Sequence, residues 1–163
     1  MQMKLLGALA AAALLAACAS EDTSGAATGA GATGGTSGMT TGAVRPGSQE
    51  DLVANVGDRV FFDTDSSSVR GDQRATLERQ AGWLGQYPQV QVVVEGHADE
   101  RGTREYNLAL AQRRGNSARD GLVALGVSSA RLSVISYGKD RPAALGSTPD
   151  AWAQNRRAVT VVR

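Results

Sequence analysis

The sequence predicts a two-layer α/β sandwich with helices on one side of a mixed four-stranded sheet. Three observations carry that expectation. Short β-like segments and longer segments of helical spacing alternate along the C-terminal two thirds of the chain. The helical stretches end at breakers, Pro88 for one and Gly126 for the next. From Gln49 onward there are about 115 residues, enough to bury one core.

The elements follow in order. Arg59 to Phe62 reads as a short strand, and Asp63 to Ser68 is polar and turn-like. Between Asp72 and Gln86, Leu77, Ala81 and Leu84 recur at helical spacing. Val90, Val92 and Val94 alternate with Gln91 and Glu95, a strand that carries Val93 on its second face. Thr103 to Leu125 predicts a long helix, with Leu110, Ala118, Gly121, Leu122 and Leu125 on its inner face and Gly126 as its cap. Leu132 to Ser136 reads as a third strand, Pro149 to Gln154 as one helical turn, and Ala158 to Val162 as the last strand. Alternating strands and helices of these lengths pack as two layers.

The N-terminus reads differently. Lys4 gives a positive flank, and Leu5 to Ala17 is apolar but too short for a bilayer, which takes about 20 residues. Residues 1–17 therefore read as a signal peptide. The only cysteine, Cys18, follows Leu15-Ala16-Ala17, and one cysteine excludes an internal disulfide. From Ala19 to Val44 every residue except Glu21, Asp22, Met39 and Val44 is Gly, Ala, Ser or Thr. Such a tract can bury almost nothing, so 18–48 reads as a flexible linker ahead of a domain at 49–163. A coil of that length spans roughly 30 Å on average and about 100 Å when stretched.

Charge and composition exclude several function classes. The formal net charge is +1, and it falls to 0 when Lys4 is removed with the signal, so no nucleic-acid partner is expected. A zinc site takes three or four Cys, His or carboxylate ligands. With His97 the only histidine and Cys18 far away, no metal or cofactor is expected. No Gly-x-Ser-x-Gly elbow occurs. Asp99 and Glu100 are adjacent and diverge, unlike two acids flanking a glycosidic bond. No catalytic residue is assigned, and His97 reads as structural.

The informative run is His97 to Arg114. It sets Asp99 on a turn before the long helix, which then carries Asn107 and Arg114 seven residues apart on one face. An acid and a base facing one pocket can hold a zwitterion. The carboxylate accepts from an ammonium, and a guanidinium grips a carboxylate with two parallel bonds. The helix N-terminus adds backbone N–H donors. The plainer alternative is an Asp99 that caps a helix and an Arg114 in solvent. The pattern does not name a ligand.

The run Gly96 to Thr103, the helix Tyr106 to Arg114, Ser136-Tyr137-Gly138-Lys139 and Asn155-Arg156-Arg157-Ala158-Val159 together resemble the family of OmpA-like peptidoglycan-binding domains, in its lipid-anchored branch. The resemblance covers about residues 55 to 163, with four separated motifs in the right order. It implies the same layered fold and non-covalent binding of peptidoglycan through the meso-diaminopimelate of its stem peptides, held by Asp99 and Arg114. It also brings Asn107, Arg101, Asp65 and Leu110 to the crevice, and leaves Arg156 and Arg157 unassigned. Leu15 to Cys18 is similar to a lipobox, which implies acylation of Cys18. Ala19 after it implies sorting to the outer membrane, with the domain facing the periplasm. The resemblance further implies TolB and other Tol proteins as partners, and a role in outer-membrane integrity and constriction at division. The alternatives are a wall-binding lipoprotein outside the Tol system and a peptidoglycan-processing enzyme. Three positions depart from the family pattern: Thr64 in place of an aromatic residue, Gly115 in place of alanine, and Arg104 in place of proline.

Overall fold

A computed structural model describes residues 44–163. The expected signal peptide, Cys18 and the expected linker as far as residue 43 lie outside the described residues. The elements are helix α1 (Gln49–Asn55), strand β1 (Arg59–Phe61), helix α2 (Arg74–Gln86), strand β2 (Val92–Gly96), helix α3 (Arg104–Ala124), strand β3 (Leu132–Ser136), helix α4 (Pro149–Asn155) and strand β4 (Arg157–Val162). Short 3-10 turns precede α2 (Gly71–Gln73) and β3 (Ser129–Arg131).

The sheet order is β1-β4-β2-β3. β4 runs antiparallel to both β1 and β2, whereas β2 and β3 are parallel and joined by α3. This is the mixed four-stranded sheet that the alternation predicts. Val60, Val92, Val94, Leu132 and Ala158 turn to one face and pack with Leu77, Leu84, Ala118 and Leu122 of α2 and α3. Phe62 and Leu52 close the core, each almost wholly buried.

One close approach fixes the seat of α3. A Cβ on Gly96 would lie 1.9 Å from the carbonyl oxygen of Ala111, and one on Gly115 would lie 2.6 Å from Cγ1 of Val134. The helix backbone therefore rests directly on β2. Gly115 costs about 1 kcal/mol in helix propensity relative to alanine, and its missing Cβ leaves room for the Val134 side chain of β3.

Several boundaries differ from the sequence expectation, each for a local reason. Helix α1 was not anticipated. Only Asp51 and Leu52 in it are buried, so it shows no periodicity, and its signal is the cap in which the Ser48 hydroxyl accepts from Asp51 N–H. Val90 is not in a strand, because its N–H donates to the Tyr87 carbonyl in a turn. Leu125 is 44 % exposed, not on the inner face. It is the cap residue, and Gly126 at φ +96° lets Val127 N–H reach back to the Leu122 carbonyl.

Candidate functional site

The site is built where the chain leaves β2 and turns into α3. Ala98 N–H donates to the Gly138 carbonyl at 2.8 Å, which ties the turn to the segment after β3. Gly102 takes φ +90°, and the Thr103 hydroxyl caps α3 by accepting from Tyr106 N–H. The turn therefore delivers Asp99 and Arg101 beside the first two turns of the helix.

Asp99 is 7 % exposed. Its Oδ1 accepts from the backbone N–H and Nε of Arg101, both at 3.1 Å. Its Oδ2 accepts from Nη2 of Arg101 at 2.7 Å and Nη1 of Arg156 at 3.3 Å. A carboxylate offers about four acceptor positions, so the protein itself fills them. Burial pushes the Asp99 pKa up, but the hydrogen bonds and charge of Arg101, joined by Arg156, outweigh it and hold the carboxyl below its ordinary value. The Arg101 guanidinium lies 4.3 Å from the ring centre of Trp152, whose Nε1 donates to Glu100 at 3.0 Å. Arg156 is also anchored by Nε to the Phe62 carbonyl at 3.1 Å.

Arg114 is 1 % exposed. Its Nε donates to the Ser66 carbonyl at 2.8 Å, Nη1 to that of His97 at 3.0 Å and Nη2 to that of Asp63 at 3.0 Å. A guanidinium has five N–H groups. Two are left, one on each terminal nitrogen. Among the described residues no carboxylate lies within 4.0 Å of it, while Asp99 is paired with Arg101 and Arg156. Burial pushes its pKa down to about 10, with the charge of Asp99 opposing, so it remains a cation at neutral pH.

All six residues that the sequence marks, Asp65, Asp99, Arg101, Asn107, Leu110 and Arg114, line one cavity of about 280 Å³, with Thr64, Gly102 and Tyr106. Asn107 donates from Nδ2 to the Arg101 carbonyl at 2.7 Å and so braces the turn. Asp65 sits at φ +56° and accepts from the Tyr106 hydroxyl. Asp99 and Arg114 share the cavity without pairing with each other, and the helix cap is Thr103, not Asp99. Thr64 is itself in the wall. Arg104 pairs with Asp140 at 2.6 Å on the exposed side.

Sequence reasoning missed Arg156, Tyr106 and Trp152. The signal for Arg156 was its adjacency to Arg157, since neighbours entering a strand point to opposite faces. Arg157 indeed turns away, and its Nη2 donates to the Arg141 carbonyl at 3.2 Å. His97 supports the site through its backbone, with its carbonyl on Arg114 and its N–H on the Arg157 carbonyl at 2.9 Å. Among the described residues no group of three His, Cys, Asp or Glu is placed to hold a metal.

Comparison with known proteins agrees with this architecture. Residues 61–156 match the OmpA family. The chain is 56 % identical over 148 residues to the peptidoglycan-associated lipoprotein of Mesorhizobium japonicum, an alignment that covers 91 % of this chain and 84 % of that one. The crystal structure of the peptidoglycan-associated lipoprotein from Burkholderia pseudomallei superposes with a TM-score of 0.63 at 45 % identity, covering 65 % of this chain and 90 % of that one. The C-terminal domain of Helicobacter pylori MotB superposes with a TM-score of 0.61 at 25 % identity, covering 65 % and 84 %.

Proposed function

The chain belongs to the OmpA family and, within it, to the peptidoglycan-associated lipoproteins, and from that premise we propose that its cavity binds peptidoglycan stem peptides without a covalent bond. One observation carries the reading. Arg114 is a buried cation with two N–H groups to spare and, among the described residues, no carboxylate within 4.0 Å, in a cavity whose wall also carries Asp65 and Asp99. A buried charge calls for a partner, and a carboxylate that accepts two parallel bonds supplies it. The side-chain end of meso-diaminopimelate carries such a carboxylate beside an ammonium. The carboxylate meets Arg114, and the ammonium lies toward the acidic wall. Asn107 and Arg101 border the peptide, and Leu110 forms an apolar side.

The protein acts as a binder and not as an enzyme. The relatives that it matches bear the names of lipoproteins and not of enzymes. Acylated at Cys18, it is held in the outer membrane with its domain in the periplasm. More than one acyl chain makes such an anchor stable. The Gly/Ala/Ser/Thr-rich tract lets the domain reach the wall. TolB and other Tol proteins engage a surface overlapping the cavity, so that wall binding and TolB binding compete, with a role in outer-membrane integrity and constriction at division.

Sedimentation with purified sacculi tests the proposal. The wild-type chain is expected to pellet with them and release no fragments, and Asp99→Ala is expected to stay in the supernatant with an unchanged circular dichroism spectrum. Equal pelleting of that variant refutes the site. Pull-down with purified TolB, competed by sacculi, separates a Tol component from a wall-binding lipoprotein outside that system. Cys18→Ser is expected to abolish palmitate labelling, and membrane retention of that variant contradicts the anchor.

A further inference from the structure

We propose that β3 is a docking edge for a second copy of this chain. The strand pairs antiparallel with its own counterpart about a two-fold axis at Val134, and the two α3 helices pack side by side over the joined sheet. This surface is separate from the cavity and does not rest on peptidoglycan binding.

The two edges of the sheet are built differently. The sheet ends in β1 on one side and β3 on the other. An open edge offers unpaired N–H and C=O groups to another strand, and folded proteins blunt it with charge, proline or a covering contact. β1 is blunted: Phe61 N–H donates to the Gln73 side chain at 3.2 Å, and Arg59 is held by Asp58 at 2.7 Å. β3 reads Leu132-Ser133-Val134-Ile135-Ser136, with no charge and no proline. In a parallel ladder, alternate residues turn their main-chain groups to the same neighbour. Tyr137 N–H donates to the Gly96 carbonyl of β2 at 3.0 Å, so Ser133 and Ile135 face β2 as well. Both main-chain groups of Val134, the Leu132 carbonyl and the Ser136 N–H therefore point outward, and among the described residues no strand meets them. A register centred on Val134 pairs all five residues with a second β3 and makes about four main-chain bonds.

The flank of this edge complements itself. A groove of about 520 Å³ runs between Leu108, Ala109 and Gln112 of α3 and Val134 and Ile135 of β3. Leu108, Ile135 and Val123 are all exposed. The close contacts at Gly96 and Gly115 seat α3 over β2 and β3. Paired strands lie about 4.8 Å apart, so a two-fold at the edge brings the α3 axes to roughly 10 Å, the spacing of packed helices. Glu105, Leu108, Gln112, Asn116, Arg119 and Val123 form one stripe of α3. The helix runs opposite to β3, with Leu108 near Ser136 and Gly115 against Val134. An axis at Val134 therefore sets Gln112 beside Asn116 of the second copy. It sets Glu105 and Leu108 beside Arg119 and Val123 of that copy, acid with base and apolar with apolar. A self-complementary patch of this kind is what a two-fold dimer requires. Asn107, Leu110 and Arg114 lie on the opposite face of α3, so both cavities stay open.

The test is oxidative cross-linking of the full chain in detergent, with micelles in excess over chains. Ser133 stands opposite Ile135 of the second copy as a non-hydrogen-bonded pair, with Cα atoms about 4.5 Å apart, which is within disulfide reach. Both side chains are exposed, so Ser133→Cys with Ile135→Cys leaves the core alone. This double variant is expected to run largely as a covalent dimer on a non-reducing gel. Each single variant is expected to show only the background of the wild type, which carries Cys18, because its cysteine lies out of register with its own counterpart. Adding Glu105→Lys to the double variant should lower the dimer yield about two- to fivefold, and adding Arg119→Glu as well should restore it. A double variant that cross-links no better than the single ones overturns the proposal. So does a Glu105→Lys chain that cross-links as well as its parent, or a loss that Arg119→Glu does not repair.

Discussion

Acidification should unfold this domain early, through a single side chain. His97 is the only histidine in the chain. It is 2 % exposed, and among the described residues neither ring nitrogen has a hydrogen-bond partner. Burial, together with the positive charges of Arg157, Arg141 and Arg59, pushes its pKa down from 6.5 to about 4. Glu95 at 3.6 Å and the Tyr137 ring are its other neighbours. As pH falls through 6.5 the unfolded chain takes up the proton, while the folded chain holds out to about 4. Stability is therefore complete above the unfolded value and is lost as pH falls below it. One pH unit within that window is worth about 1.4 kcal/mol, so the loss between pH 7 and pH 5 comes to about 2 kcal/mol. The assay is urea unfolding of the wild type and of His97→Phe at pH 7, 6 and 5. The wild type should lose that amount and the variant almost none. The carboxylates with resolved shifts, Asp99 among them, are all held low and do not titrate in this window. Equal pH slopes for the two proteins refute the reasoning.

Other perturbations follow from the same geometry. Gly96→Ala places a methyl group against the Ala111 carbonyl and should cost about 3 kcal/mol or more in urea unfolding; a loss below about 1 kcal/mol contradicts the seat of α3. Arg114→Met leaves the buried His97 carbonyl without a donor, whereas the Ser66 and Asp63 carbonyls can turn to water, so the expected loss is about 1 to 3 kcal/mol along with sacculus binding. An unchanged urea midpoint shows that this guanidinium does not clamp the loop after β1. Gly126→Ala forces a Cβ into the left-handed region and should cost about 1 kcal/mol; an unaltered midpoint contradicts the cap at the end of α3.

The sheet and the two long helices were legible because each repeats a period. The valines of β2, and Leu77, Ala81 and Leu84 in α2, declare their faces without help from distant residues. Helix α1 does not, because its seven residues bury one leucine and one aspartate. Leu125 misled for another reason: helical spacing assigns a face but cannot see that the helix has ended at that residue. In the site, the spacing of Asn107 and Arg114 puts both on one face, and the turn before the helix carries Asp99 to the same cavity. The actual partners were hidden. Arg156 reaches Asp99 across 57 positions of sequence, and Arg114 finds two of its carbonyls 48 and 51 positions away. Such contacts depend on β4 lying between β1 and β2, a topology that no local pattern encodes.

A crystal structure of residues 44–163 with a stem tetrapeptide containing meso-diaminopimelate tests the central claim most directly. The carboxylate at the side-chain end is predicted to lie within hydrogen-bond distance of both terminal nitrogens of Arg114. A peptide seated elsewhere on the domain, or one that turns that carboxylate to solvent, contradicts the account.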